Sequence, residues 1–562
     1  MHGLLTSGLV ALGLLVSPAA QACGGFFCSQ VPVDQAGEGI VFDVDPGSGT
    51  VEVHVEIAYQ GSADDFAWVV PVAEEPELFL STPALFTQLR AATQATFRPE
   101  YIYEGNCEWN WEDYPPMAAD DAEADVDFDT DVDSEGGVEV ISEGEVGPYR
   151  TAILRATSSA DLLTWLSDNN YDLPEDLDPV LAPYVADGSY FVALGLLSDR
   201  DVGSLAPLGM RYSGSSASIP IQLTSIAATP DMRLEVHVLG GARAVPSNYL
   251  HVQINEAAID WLGWGSNYRD VITQAANEAG GQAFATDYVG STERLAGRLY
   301  RDGQYDTAAL STIDGPVAFF DGVMSQGFPP DAKLLDLLRI YIPIPDGLNV
   351  DEQSFYNCLG CYAEHLEGQP FDGAAFAAAL EEEMVQPLAH AQEMLDGAPK
   401  LTRMVSSMSQ NEMTIDPMFT FNSDMPDVDN AHVAQFIYEC EDGGFWNEAD
   451  RVLVLPNGTR IDYPSEEAVM AGVPVPTPFE SFSGMAAAVI ERTSDSGQPE
   501  VISDRSEEIA DIIDEANEVF GAEYRRSGFG EGCSCNSAPA PASLAFGSLG
   551  LLGLLGLRRR SR

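Results

Sequence analysis

The chain has 562 residues, 88 of them acidic against 26 basic, for a formal charge of −62 at neutral pH. It carries only two lysines, Lys333 and Lys400, so no basic face can be assembled against phosphate and nucleic acid is excluded as a partner. With 45% apolar and 9% aromatic residues it can still bury true cores, which excludes wholesale disorder.

Residues 3–17 form an apolar run too short to cross a bilayer, followed by Pro18 and the small-residue triplet Ala20-Gln21-Ala22. This predicts a secretory signal over 1–22 with an A-x-A cleavage site, although His2 stands where Lys or Arg is usual. Residues 38–72 read as strands. Val51, Val53, Val55, Ile57 and Tyr59 alternate with Glu52, His54 and Glu56, so one face is expected to be core and the other wet, a pattern suited to antiparallel pairing. A helix is expected at 83–95, strands at 138–155, a helix at 158–169 capped by Ser158 or Ser159, and strands at 189–197, 219–227 and 233–239.

Further helices are expected at 266–279 and at 372–396, the latter containing Pro387. Residues 451–456 and 460–463 predict a strand pair around the turn Asn457-Gly458, and a polar helix follows at 505–519. The fold expected is α+β, with a strand-rich antiparallel, sandwich-like first half with interspersed helices, and a more helical second half. The organisation expected is a strand-rich domain over 23–355, a mixed helical and short-strand region over 356–524, a flexible Gly/Ser/Pro stalk over 525–542 and an apolar helix with an arginine cluster over 543–562.

Eight cysteines occur, and six remain when the tail pair is set aside, an even number for an exported chain. Cys23 and Cys28 flank a short loop with two glycines and are paired first. Cys358 and Cys361 are read as a local disulfide in preference to a redox pair or half a zinc site with His365, because no second ligand pair is present. Cys107 and Cys440 are left over.

No GxSxG, HExxH, phosphate loop or GxGxxG is found, so strong catalytic signatures are missing, although a triad built from distant residues would leave no local trace. Three weaker constellations remain. Asp131, Asp133 and Glu135 before Gly136 imitate the opening of a calcium loop, but Ser142 occupies the closing position and a solvated acidic loop is the competing reading. Glu52-Val53-His54-Val55 and Glu235-Val236-His237-Val238 are near repeats that, on paired strands, would offer two imidazoles to one metal; the plainer reading is a solvent-facing polar edge. Trp109, Trp111 and Tyr114, with Tyr101 and Tyr103, would either stack on a glycan or protein ligand or cover a small core beside Cys107.

At the C-terminus, Cys533-Ser534-Cys535 precedes the apolar stretch 543–557 and then Arg558-Arg559-Arg560-Ser561-Arg562. Four arginines after a marginal span would stay cytoplasmic and leave the body outside. This tail resembles the MYXO-CTERM sorting signals of exported myxobacterial proteins. The resemblance implies processing near Cys533 and Cys535, with the helix in the membrane beforehand and retention at the cell surface. The body resembles the domain of unknown function 2330 family of exported bacterial proteins. The residues that carry this likeness are Ala22 to Cys28, Pro32 to Glu38, Asp65 to Val72, Val146 to Tyr149, Trp165 to Tyr171, Tyr190 to Ala193, Ala279 to Phe284 and Met413 to Pro417. It brings no catalytic residues. The function expected is therefore that of an envelope protein retained at the surface, structural or recognition in role, with envelope components as partners. The alternatives are an exported hydrolase or thiol-redox enzyme, and a calcium-stabilised adhesin.

Overall fold

A computed structural model describes residues 34–45, 47–60, 67–105, 139–169, 171, 177–197, 206–215, 217–226, 228–440, 445–473, 475, 482 and 484–527. From the N-terminus run β1 (Asp34–Asp45), β2 (Thr50–Gln60), β3 (Ala67–Val72), β4 (Glu77–Leu80), α1 (Pro83–Thr93) and β5 (Thr96–Glu104). The hairpin β6 (Glu139–Val146) and β7 (Tyr149–Arg155) is followed by α2 (Ser159–Asp168), α3 (Asp178–Ala186) and β8 (Tyr190–Leu196). Next come β9 (Leu208–Ser213), β10 (Ala217–Ser218), α4 (Ile221–Thr224), β11 (Ala228–Gly240), β12 (Arg243–Pro246), β13 (Leu250–Ile254), α5 (Tyr268–Glu278) and β14 (Ala283–Ser291). A helical stretch holds α6 (Thr307–Leu310), α7 (Pro316–Gln326), α8 (Ala332–Tyr341), α9 (Glu352–Asn357), α10 (Ala363–Leu366), α11 (Gly373–Leu380) and α12 (Gln386–Gly397). The chain then gives β15 (Lys400–Met408), β16 (Met418–Asn422), β17 (Ala431–Glu439), β18 (Asp450–Val454), β19 (Arg460–Tyr463), α13 (Glu466–Met470), β20 (Ala487–Arg492), β21 (Glu500–Asp504) and α14 (Ser506–Ser527).

The fold is mixed, 34% helix and 34% strand, with large, mainly antiparallel sheets mostly in the first half and more helix later, as expected. Ten strands form one sheet in the order β21-β20-β13-β14-β15-β11-β1-β2-β9-β4, in which β1·β11 and β13·β14 are the parallel pairs. A four-stranded sheet, β3-β8-β7-β6, packs on it face to face. Val51, Val53 and Val55 of β2 and Ile40 and Phe42 of β1 meet Trp68, Val70, Val192 and Leu194 in a single core. Each such buried side chain contributes about 1.5–3 kcal/mol. The odd partners Val69, Phe191 and Ala193 point the other way, onto Leu162, Trp165 and Leu181 of α2 and α3. Ser158 caps α2, its side chain accepting from Asp161 N.

Three expectations are corrected. The Glu/His face of β2 is not wet. Glu52 and His54 are 7% and 1% exposed, because α1 and α12 lie over this side of the sheet on a second apolar cluster of Val41, Leu85, Leu89, Leu239, Leu388 and Leu395. The strand expected over 219–227 does not form across its described residues, 219–226; Pro220 begins a turn into the short α4 after the two-residue β10. The stalk does not begin at 525, since α14 runs to Ser527. Pro387 does mark a break in the helix at 372–396. It has no N–H to give and its ring crowds the carbonyl four residues back, and there α11 passes into a π-turn, Glu381–Val385, before α12 starts. The boundary expected at 355 falls inside the helical stretch between β14 and β15, which are hydrogen-bonded to each other.

Candidate functional site

Because side chains alternate along a strand, the registers place polar residues in rows across the helix-covered face of the large sheet. One row reads Phe79, Gly209, His54, Val41, His237, Arg403, Tyr288. The row on one side of it reads Glu77, Arg211, Glu52, Asp43, and on the other Glu56, Gly39, Glu235. The two near repeats seen in the sequence are thus in register on one face, but β1 lies between them. That is two strand spacings, about 10 Å, too far for both histidines to hold one ion.

His54 and its neighbours form the first node. Glu52 Oε1 accepts from His54 Nε2 at 2.9 Å and from His390 Nε2 of α12 at 2.6 Å, and Glu52 Oε2 accepts from Arg211 Nε at 2.9 Å and Nη2 at 2.7 Å. Arg211 Nη2 also lies 3.3 Å from His390 Nε2, but one ring nitrogen cannot both donate to Glu52 and accept from Arg211, and the shorter contact takes precedence. His54 Nδ1 meets the Ser81 hydroxyl at 2.6 Å. Phe79 crosses β9 over Gly209 to touch both imidazoles by edge contacts, with ring centroids 5.5 Å from His54 and 5.1 Å from His390. Burial would raise the Glu52 carboxyl, but the hydrogen bonds from His390 and His54 hold it well below the ordinary range. Burial pushes His54 down, towards the neutral ring.

Asp43 shows the excess of negative charge here. Burial, together with Glu52 and Asp45, lifts its pKa from 3.8 to about 6. The folded chain therefore holds this proton more tightly than the unfolded one, and stability falls as pH rises from about 4 to about 6. Asp43→Asn is expected to be more stable than the parent above pH 6, by on the order of 1–2 kcal/mol after solvent screening, and equal to it below pH 4. Urea unfolding at the two pH values measures this.

The second node is an arginine cluster. Glu235 takes Arg90 Nε at 3.0 Å, Arg233 Nη2 at 2.7 Å and Arg403 Nη2 at 3.2 Å. Arg90 reaches from α1 over Gly39 to bond Glu56 as well; a Cβ at Gly39 would stand 2.8 Å from its guanidinium. Arg403, 1% exposed, also faces Asp287 at 3.5 Å, and Asp287 accepts from the Tyr268 hydroxyl. His237 is committed differently from His54. The Thr93 hydroxyl spends its proton on Leu89 O, so His237 Nε2 donates to Thr93 Oγ1 at 3.2 Å, while its Nδ1 has no partner among the described residues. Burial takes this ring down to about 3, so it is neutral.

The opposite face of the sheet holds a cavity. Between the two sheets a space of about 230 Å³ is lined by Ile40, Phe42, Val55, Trp68, Val70 and Met210, with Tyr184 and Asp416 among its polar groups. Tyr184 donates its hydroxyl to Asp416 Oδ1 at 2.9 Å, and Gln222 N donates to the same oxygen at 3.0 Å.

A family model described as an uncharacterized protein conserved in bacteria (DUF2330) matches residues 17–298, half of the chain. The chain belongs to this family. No curated protein and no solved structure matches it. The DUF2330 match contains β1 to β14 and so Glu52, His54, Arg211 and Glu235, whereas His390 and Arg403 lie beyond it.

Of the residues singled out in the sequence, Asp131, Asp133 and Glu135, Cys23, Cys28, Cys533 and Cys535, and Trp109, Trp111 and Tyr114 lie outside the described residues, as does the apolar stretch 543–557. Among the described residues no helix is long and apolar enough to cross a membrane. Cys358 and Cys361 are joined, Cα to Cα 5.3 Å, and Cys440 is disulfide-bonded too. Cys358 precedes only a four-residue 3₁₀ turn, without the long helix N-terminus that activates redox thiols. Tyr103 is exposed and stacks on Tyr438, centroids 4.8 Å apart.

His390 was not legible, because a lone histidine on a helix of ordinary composition carries no pattern. Nor was a third assembly, in which Thr286 Oγ1 meets His251 Nε2 at 2.9 Å and His251 Nδ1 meets Glu491 Oε1 at 2.8 Å. This has the connectivity of a catalytic triad, but the cavity between the sheets does not reach Thr286.

Proposed function

We propose that this DUF2330 protein is an exported, surface-retained recognition protein of the envelope, without catalysis, that holds a small apolar molecule between its two sheets. The cavity bounded by Ile40, Phe42, Val55, Trp68, Val70 and Met210 carries the reading. Its walls are mainly apolar side chains of strands, and the Tyr184 and Asp416 side chains that also line it are bonded to each other. A space of this size, somewhat larger than one that admits benzene at about 150 Å³, suits a compact hydrocarbon or aromatic group. Export is supported by the apolar run at 3–17 with Ala20-Gln21-Ala22, and retention by the Cys533/Cys535 motif, apolar stretch and terminal arginines.

The full-length protein is expected to bind 1-naphthol saturably at one site in calorimetry, and Val55→Phe, which fills the cavity with an apolar ring, is expected to abolish that binding while the thermal melt persists. Absence of saturable binding, or binding indifferent to Val55→Phe, would overturn the reading.

A further inference from the structure

We propose that Glu52, His54 and His390 form a binding site for a divalent cation of the zinc class. Their three donor atoms lie within 4.8 Å of one another, and two imidazoles with one carboxylate are a ligand set that zinc takes with its fourth position open. Glu52 and His54 stand two apart on β2, on one face, and α12 brings His390 over them from a point 336 residues further along the sequence than His54. Strand and helix fix all three without a loop.

The surroundings suit an ion. Arg211 engages Glu52 Oε2, which leaves Oε1 as the oxygen facing both rings. Ser81 stands behind His54 Nδ1 and, as a hydroxyl, serves either tautomer. When Nδ1–H donates to Ser81 Oγ, the Nε2 lone pair faces Oε1 and is free for a metal. In the cation-free arrangement a proton on each Nε2 joins the rings to Oε1, and a cation substitutes for those protons. Tetrahedral coordination separates donors by about 3.3 Å, given zinc–ligand distances of about 2.0–2.1 Å, so His390 must withdraw by less than about 1 Å. Its side chain is 30% exposed, which gives it that freedom and opens a route for the ion and a water. Asp43 and Glu77 stand in the same row as Glu52, so carboxylates outnumber the single guanidinium of Arg211. The matching His237 node cannot act in this way, since its Nε2 proton is held by Thr93 and three guanidinium groups surround its glutamate.

The test uses full-length protein stripped with EDTA and titrated with zinc chloride by calorimetry, with cobalt(II) as a spectroscopic substitute. One zinc per chain is expected, with visible cobalt bands of a tetrahedral nitrogen and oxygen set. His390→Ala, at a part-exposed position where the fold should survive, is expected to weaken zinc at least about 100-fold and remove the cobalt bands, and Ser81→Ala to weaken it about 10-fold. Circular dichroism melts confirm that the variants are folded. No zinc uptake by the parent, or uptake unchanged in His390→Ala, would mean that the three groups are only a hydrogen-bonded node, and the proposal falls.

Discussion

Arg403→Met is expected to cost the fold about 3–5 kcal/mol at neutral pH, the penalty for leaving buried carboxylates without their cation. Arg403 is 1% exposed and stands between Glu235, 3% exposed, and Asp287, 2% exposed. Burial pushes the Glu235 carboxyl up, and its neighbours, Arg403, Arg90 and Arg233 among them, together more than reverse this, so its folded pKa lies below the ordinary value. The stability it contributes is therefore present above the unfolded pKa and disappears as pH falls through the folded one. Asp287 is already raised by burial despite Arg403, and Arg403→Met would raise it further. Urea unfolding should accordingly show a deficit that is large at pH 7 and shrinks as the pH falls and the carboxyls take up protons. A deficit that stays constant with pH would show that lost packing, and not lost charge, is responsible.

Gly209→Ala should cost about 3 kcal/mol by overpacking. A Cβ there would lie 2.2–2.6 Å from three atoms of the Phe79 ring. The ring cannot slide aside without leaving His54, His390 and the Arg211 guanidinium that lies 5.4 Å from its centroid. In the Phe79→Ala background the obstruction is gone, and the same Gly209→Ala change should cost far less. A double-mutant cycle should thus return a coupling of on the order of 2 kcal/mol. Simple additivity would show that the backbone, and not the ring, sets the need for glycine.

Both experiments probe a layer that the sequence showed only in outline. The alternation Val51, Val53, Val55 against Glu52, His54, Glu56 is visible in any reading, and it places β2 and its two faces correctly. It is silent on what covers the polar face. Burial of that face depends on α1 and on α12, which follows a π-turn more than 300 residues later. Local pattern carries no information about contacts of that separation, so polar strand residues read as wet. The same holds for the partner of His54: Glu235-Val236-His237-Val238 looked like its mate because the tetrapeptides match, whereas the histidine that reaches Glu52 is His390, on a helix of ordinary composition. Helices with strong caps were legible. Ser158 before α2 is an example, while 219–227 misled because Ile219, Ile221 and Leu223 alternate like a strand across Pro220.

The order of strands also bears on how this chain can be made. At the middle of the large sheet β1, from residues 34–45, pairs with β11, from 228–240, which pairs in turn with β15, from 400–408. A nascent chain cannot complete this layer until nearly three quarters of it has been synthesised, and such distant pairings form slowly. Until then the core between the two sheets lacks Met404 and Met408 and stays unfinished, a delay that would favour the export proposed above if the chain crosses a membrane unfolded.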